Sequence, residues 1–174
     1  MPSKIEWTEE TWNPSIGCTK ISPGCKNCYA EVMAKRLKAM GRPEYKNGFQ
    51  FNMIPERLGQ PFLKSRPTLF FVNSMSDLFH EEMPAPYIDE VFKTISSTPQ
   101  HKYQILTKRS SRMLRYFSRR KVPSNTMLGV TVENREHGLP RIDDLRQISH
   151  APVLFLSVEP LLEDLGQFNL HGIN

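Results

Sequence analysis

The stretch Thr68-Leu69-Phe70-Phe71-Val72-Asn73-Ser74-Met75-Ser76-Asp77 decides the fold. Its first half is a short unbroken run of apolar residues, rich in aromatic and β-branched types, and its second half is abruptly polar. Runs of this kind suit strands covered on both faces, as in a parallel sheet. Three more follow at Tyr103-Gln104-Ile105-Leu106, Met127–Val132 and Val153–Val158. A first strand is expected near Thr11-Trp12-Asn13.

Helical spacing fills the intervals. Pro86–Ser97 places Ile88, Val91, Phe92 and Ile95 on one face, and Ser110–Arg120 does the same with Met113, Leu114 and Phe117. Arg135–Ile148 aligns Leu139, Ile142, Leu145 and Ile148, although Pro140 favours a start nearer that residue. Upstream, Cys28–Met40 reads as a helix with Val32, Met33 and Leu37 inward, Asn27 as its N-cap and Gly41 as its stop. Residues 41–67 form an irregular connector with an extended piece at Phe49–Met53. Alternating β and α elements imply an α/β fold with a parallel sheet, open or barrel-like. At 174 residues the chain suffices for one domain, 1–174, and is short for a complete closed barrel.

In such folds the site lies at the carboxyl ends of the strands. There the sequence places Asn73, Ser74, Ser76 and Asp77, then Thr107, Lys108 and Arg109, then Glu133 and Asn134, then Glu159. The loop after the first strand, residues 13–29, brings Cys18, Cys25 and Cys28 to the same rim. They are the only cysteines, spaced C-x6-C-x2-C. An odd number cannot pair fully into disulfides, so the economical reading is three thiolates on one metal centre with an open coordination position. An iron-sulfur cluster fits that description. Zinc fits it too, if Asp77 or His80 adds a fourth ligand, and the bland alternative is a trio of buried or redox thiols.

Composition bounds the rest. With 39% hydrophobic and 24% charged residues, and no apolar run near the eighteen or so residues of a membrane span, no membrane partner is expected. The N-terminal Met1–Trp7 lacks the apolar core of a leader, which predicts a cytoplasmic location where clustered cysteines favour metal over disulfide. Net charge is +5, and no Asp or Glu falls between Glu90 and Glu133. The basic segment 93–121, with Tyr103, Tyr116 and Phe117, suits a nucleic-acid backbone and equally suits a solvated helix face.

The segments Trp12-Asn13-Pro14, Gly17-Cys18, Pro23–Ala30, Val72–His80, Leu106–Arg109 and Ser157-Val158-Glu159-Pro160 resemble those of an uncharacterised bacterial and bacteriophage family of three-cysteine-motif proteins, over essentially the whole chain. More distantly the chain is similar to the radical S-adenosylmethionine superfamily, from whose C-x3-C-x2-C spacing it departs by three residues. That resemblance implies a partial (open) TIM-like βα barrel carrying a [4Fe-4S] cluster on Cys18, Cys25 and Cys28. It implies an open iron that binds S-adenosylmethionine, and an external electron donor for cleavage to a 5′-deoxyadenosyl radical that abstracts hydrogen. By position it assigns Asn73, Ser74, Ser76 and Asp77 to the methionine amine or ribose and Lys108 to the carboxylate. Glu133, Asn134 and Glu159 are further cofactor-binding candidates. Relatives continue past Gly172-Ile173-Asn174 into another strand, which implies truncation at the C-terminus. The expected function is a radical S-adenosylmethionine-type enzyme acting on a nucleobase or nucleic acid. A zinc-binding, nucleic-acid-binding protein without catalysis is the alternative.

Overall fold

Each apolar run forms a strand, and the polar residues after it form the rim. The computed structural model describes residues 5–174; residues 1–4 of the N-terminal stretch read for a leader lie outside the described residues. Strands β1 (Glu10–Trp12), β4 (Leu69–Val72), β5 (Lys102–Thr107), β6 (Thr126–Thr131) and β7 (Val153–Ser157) pair in parallel in the order β1-β4-β5-β6-β7. Between β1 and β4 a two-stranded antiparallel ladder joins β2 (Ser15–Ile16) to β3 (Asn52–Met53). The helices are α1 (Tyr29–Ala39), α2 (Ala85–Ser97), α3 (Ser110–Phe117) and α4 (Gly138–Arg146).

Strand alternation gives the sheet two different faces. Phe70, Val72, Tyr103, Ile105, Leu128, Val130 and Leu154 share one core with Ile88, Val91, Phe92 and Ile95 of α2, Met113 and Phe117 of α3, and Ile142 and Leu145 of α4. The opposite face contributes Phe71, Leu106, Lys108, Thr131 and Ser157 to cavities. Phe71 and Leu106 make the runs look apolar on both sides because they wall a cavity, where the sequence suggested a second covering layer.

Helix α1 corrects two expectations. Cys28, with extended backbone, stands at its N-cap in place of Asn27. Val32 and Met33 are exposed; the buried side chains are Ala30 and Ala34, packed with Ile16, Tyr45 and Met75. Two alanines let the helix backbone sit close to its support, which the larger side chains would prevent. Its stop is as expected, with Gly41 in the left-handed region and Arg42 N–H donating to Leu37 O at 3.0 Å.

The connector is pinned to the cysteine loop. Trp12 Nε1 donates to Arg57 O at 2.7 Å, Ile54 N to Pro14 O at 2.8 Å, and Cys18 N to Phe49 O at 3.2 Å. No described helix is long and apolar enough to cross a membrane.

Candidate cysteine-lined active site

The cysteine loop is held at its start by backbone. Gly17 bridges Ser76 in parallel and donates its N–H to Met75 O at 2.9 Å. It does so at φ +76°, where a Cβ would lie 2.1 Å from Gln50 O, so only glycine fits. The loop then turns through Pro23–Cys25, with Lys26 N donating to Pro23 O at 3.0 Å, and enters α1 at Cys28. Gly24 lies over Glu133, whose Cγ would stand 3.1 Å from an added Cβ.

The three thiols are free and partly buried, and all line one cavity of about 140 Å³. Asn73, Ser74, Ser76, Asp77, Lys108 and Arg109 share that wall. Burial pushes the Cys18 thiol up to about 11, against the pull of Arg109. For Cys25 burial also works upward, but hydrogen bonds from the Ile21 and Ser22 backbone and the Ser22 hydroxyl outweigh it, and the net shift is downward. Cys28 itself stands at the N-terminal end of α1.

Arg109 organises the rim. Its Nε donates to both Glu81 carboxylate oxygens at 2.8 and 2.9 Å, and its Nη1 to Asp77 Oδ2 at 3.2 Å and to Cys18 Sγ at 3.4 Å. Nη2 donates to Thr19 O at 3.2 Å and Thr19 Oγ1 at 2.9 Å. Burial works to lower its pKa, but Glu81 and Asp77 outweigh it and hold the guanidinium protonated.

Asp77 accepts from the Thr107 hydroxyl at 2.7 Å, from Phe79 N at 2.9 Å and from Lys108 N at 3.2 Å, besides Arg109. With its carboxylate so occupied it fixes the rim rather than presenting a free ligand. His80 is equally committed. Nδ1 accepts from Glu82 N at 3.2 Å, Nε2 hydrogen-bonds Thr19 Oγ1 at 3.1 Å, and the ring stacks on Phe51. Burial and Arg109 lower its pKa.

Asn73 adopts φ 63° and donates through Nδ2 to the hydroxyls of Ser15 and Ser76. Its Oδ1 is buried without a partner. The Ser74 carbonyl accepts from the Tyr29 hydroxyl at 2.5 Å, which locks that ring at the cavity edge.

The remaining candidates lie elsewhere. Glu133 is fully buried and paired with Arg141, whose Nη1 and Nη2 reach its carboxylate oxygens at 2.5 and 3.2 Å. Burial works to raise its pKa, yet Arg141 and Ser22 hold it below the usual range. Asn134 Oδ1 accepts from His137 N at 2.9 Å and braces the turn into α4. Glu159 is exposed on a second, larger cavity of about 600 Å³. That cavity shares Cys28, Tyr29, Phe71, Leu106, Lys108 and Thr131 with the first. Sequence reasoning passed over Arg109 as a hub and Trp7 as a wall of the larger cavity. A cation beside Lys108 at a strand end signalled the first, and an aromatic outside any periodic element signalled the second.

Among the described residues no group of three His, Cys, Asp or Glu side chains is gathered to hold a single metal ion. Tetrahedral zinc would need its sulfurs roughly 4 Å apart. A cluster binds each thiolate through a different iron and spreads its sulfurs more widely. Three free soft donors around one cavity, beside the cations Arg109 and Lys108, suit an anionic cluster by chemistry.

A protein-family model described as "Protein of unknown function (DUF5131)" matches residues 2–174. The curated proteins give no match. Among solved structures the chain is similar to a cysteine-to-serine mutant of spore photoproduct lyase, with TM-score 0.63 and 15% identity, covering 92% of this chain and 48% of that one. It is also similar to a double mutant of spore photoproduct lyase with bound AdoMet and dinucleoside spore photoproduct (TM-score 0.57, 14% identity, covering 88% and 46%). A third match is spore photoproduct lyase complexed with dinucleoside spore photoproduct (TM-score 0.57, 14% identity, covering 95% and 49%). The chain spans about half the length of these structures, and the likeness concerns the fold.

Proposed function

This chain belongs to the DUF5131 family of proteins of unknown function, and we propose that it is an iron-sulfur enzyme of radical S-adenosylmethionine type built on a partial βα barrel. One observation carries the reading: three free thiols line a single cavity at the carboxyl ends of parallel strands, on the sheet face opposite helices α2 to α4. Similarity in fold to spore photoproduct lyase, one structure of which holds AdoMet, supports it.

Cys18, Cys25 and Cys28 would hold a [4Fe-4S] cluster. When bound, that group supplies one electron at an open iron for cleavage of the sulfonium of S-adenosylmethionine. The chain's own residues do the rest. Arg109 orients Cys18 by an N–H···S hydrogen bond and ties the loop to β5. The buried, unpartnered Asn73 Oδ1 is left to accept from the ligand's ammonium, since an unmade bond there is costly. Lys108, whose ammonium makes no hydrogen bond among the described residues, faces the same cavity and suits the carboxylate. A nucleic-acid substrate is favoured by the +5 charge, and by the dinucleoside held in the similar structures.

The test is anaerobic loading with iron and sulfide, with iron counted per chain in the parent and in Cys25→Ala. The expected result is close to four irons in the parent, their loss in the variant, and nearly superimposable circular dichroism melts. Unfolding of the Cys25→Ala variant, with zinc retained by the parent, would instead indicate a structural metal.

A further inference from the structure

The larger cavity, of about 600 Å³, is within the size range of ligand sites and opens directly beside Cys28. Two aromatic rings on its wall are exposed: Trp7 at 40% and Tyr29 at 58%. Neither ring is loose. Trp7 packs edge-on against Phe71, with centroids 4.8 Å apart, and Tyr29 is tethered through its hydroxyl to Ser74. A soluble protein that holds two large rings still while leaving them in water has prepared faces on which a flat ligand can stack. Lys26 and Lys108 stand on the same wall, and Ser157 and Glu159 supply hydrogen-bonding groups for a polar edge.

The geometry points to a nucleotide-binding subsite. We infer that an unstacked base of single-stranded nucleic acid enters this cavity against Trp7 and Tyr29, with a flanking phosphate on Lys26. Aromatic stacking recognises the π-face of the base and lysine neutralises the backbone, the combination by which single strands are bound. A base inside a duplex could not reach Cys28; an extruded or single-stranded one can. This inference rests on the proposed enzyme reading for its purpose, but not for its test, because stacking on Trp7 needs no iron.

The test exploits the tryptophans. The chain has two, and Trp12 is buried at 1% exposure, so quenching by an added ligand reports on Trp7. A single-stranded oligothymidylate of four residues is titrated into the full chain as purified, and a fluorescein-labelled form is followed by anisotropy before and after iron and sulfide loading. Saturable quenching is expected. Binding should weaken roughly tenfold in Trp7→Leu and in Tyr29→Leu, be restored in Trp7→Tyr, and become less salt-dependent in Lys26→Ala. No quenching, or affinity unchanged in both leucine variants, would overturn the inference. So would displacement of the oligonucleotide by S-adenosylmethionine alone, which would give the cavity to the cofactor. Failure to load iron leaves these readings intact, so the two proposals fail separately.

Discussion

Two buried arginines, Arg109 and Arg141, solve the same electrostatic problem with different consequences. Arg141 is closed on Glu133 and on Thr131 O, at 2.8 Å, and contacts no cysteine; it joins β6 to α4 beneath the cysteine loop. Arg109 also neutralises a buried carboxylate, Asp77, but its remaining donors go to Glu81, Thr19 and the sulfur of Cys18. The first pair is a strut. The second is a strut with one end left on the reactive loop, which is how a fold transmits the rigidity of a strand end to a loop that must hold thiols.

The largest effect should come from the closed pair. Arg141→Leu strands the Glu133 carboxylate without compensation, at a cost of about 3–5 kcal/mol. For a chain of this length the melting temperature should fall on the order of 10 °C. Iron bound per folded molecule should nevertheless stay at the parent value. A parallel loss of iron at temperatures where the variant is fully folded would erase the distinction between the arginines.

Arg109→Gln should destabilise less, about 2–3 kcal/mol, because Glu81 is solvated and Asp77, though it loses its charge partner, keeps hydrogen bonds from the Thr107 hydroxyl, Phe79 N and Lys108 N. Its signature is on the loop: iron uptake should drop while the core melts as one transition. Arg109→Lys should not rescue it, since a single ammonium cannot reach Glu81, Asp77, Cys18 and Thr19 together. Full rescue by lysine would reduce Arg109 to a point charge.

The thiols themselves sharpen the contrast. In the metal-free chain at pH 8, iodoacetamide should label Cys25 first and Cys18 last, at least roughly tenfold apart, as read by peptide mass mapping. Because the fold raises the Cys18 pKa to about 11 from 9.0, the folded state holds a proton that the unfolded chain releases. That contribution is complete below pH 9 and is lost as pH rises towards 11, so alkaline melts should fall over this window. Labelling of Cys18 ahead of Cys25 would contradict the buried position given to Cys18.

The smallest effect belongs to His80. Its folded pKa lies below the ordinary 6.5, so its contribution is present above pH 6.5 and lost as pH falls through the folded value. Melts between pH 7 and 5 should show a shallow decline that His80→Gln flattens. An unchanged slope in that variant would assign the decline to other groups.

Much of this was legible from the chain. The apolar runs located β4 to β7, and the polar residues after them located the rim, because strand composition and strand ends obey local rules. Helix α1 was misread for a specific reason: Val32 and Met33 carry apolar side chains at helical spacing, yet close packing selected Ala30 and Ala34, which pattern alone scores as neutral. Asn73, Ser74, Ser76, Asp77 and Lys108 do share the wall with the cysteines. Glu133 does not, because a buried Arg141 claims it, and sequence spacing does not reveal such pairings. Alternation along β5 puts Lys108 and Arg109 on opposite sides of the chain, but which one meets a thiol depends on where the loop from Gly17 returns.

The central claim is that three cysteines hold a cluster with one open iron. Electron paramagnetic resonance of the anaerobically reconstituted, reduced protein, recorded with and without S-adenosylmethionine, tests it most directly. The account predicts a [4Fe-4S] signal that shifts when the sulfonium is added. A chain that assembles no cluster and retains zinc, or a signal indifferent to S-adenosylmethionine, would contradict it.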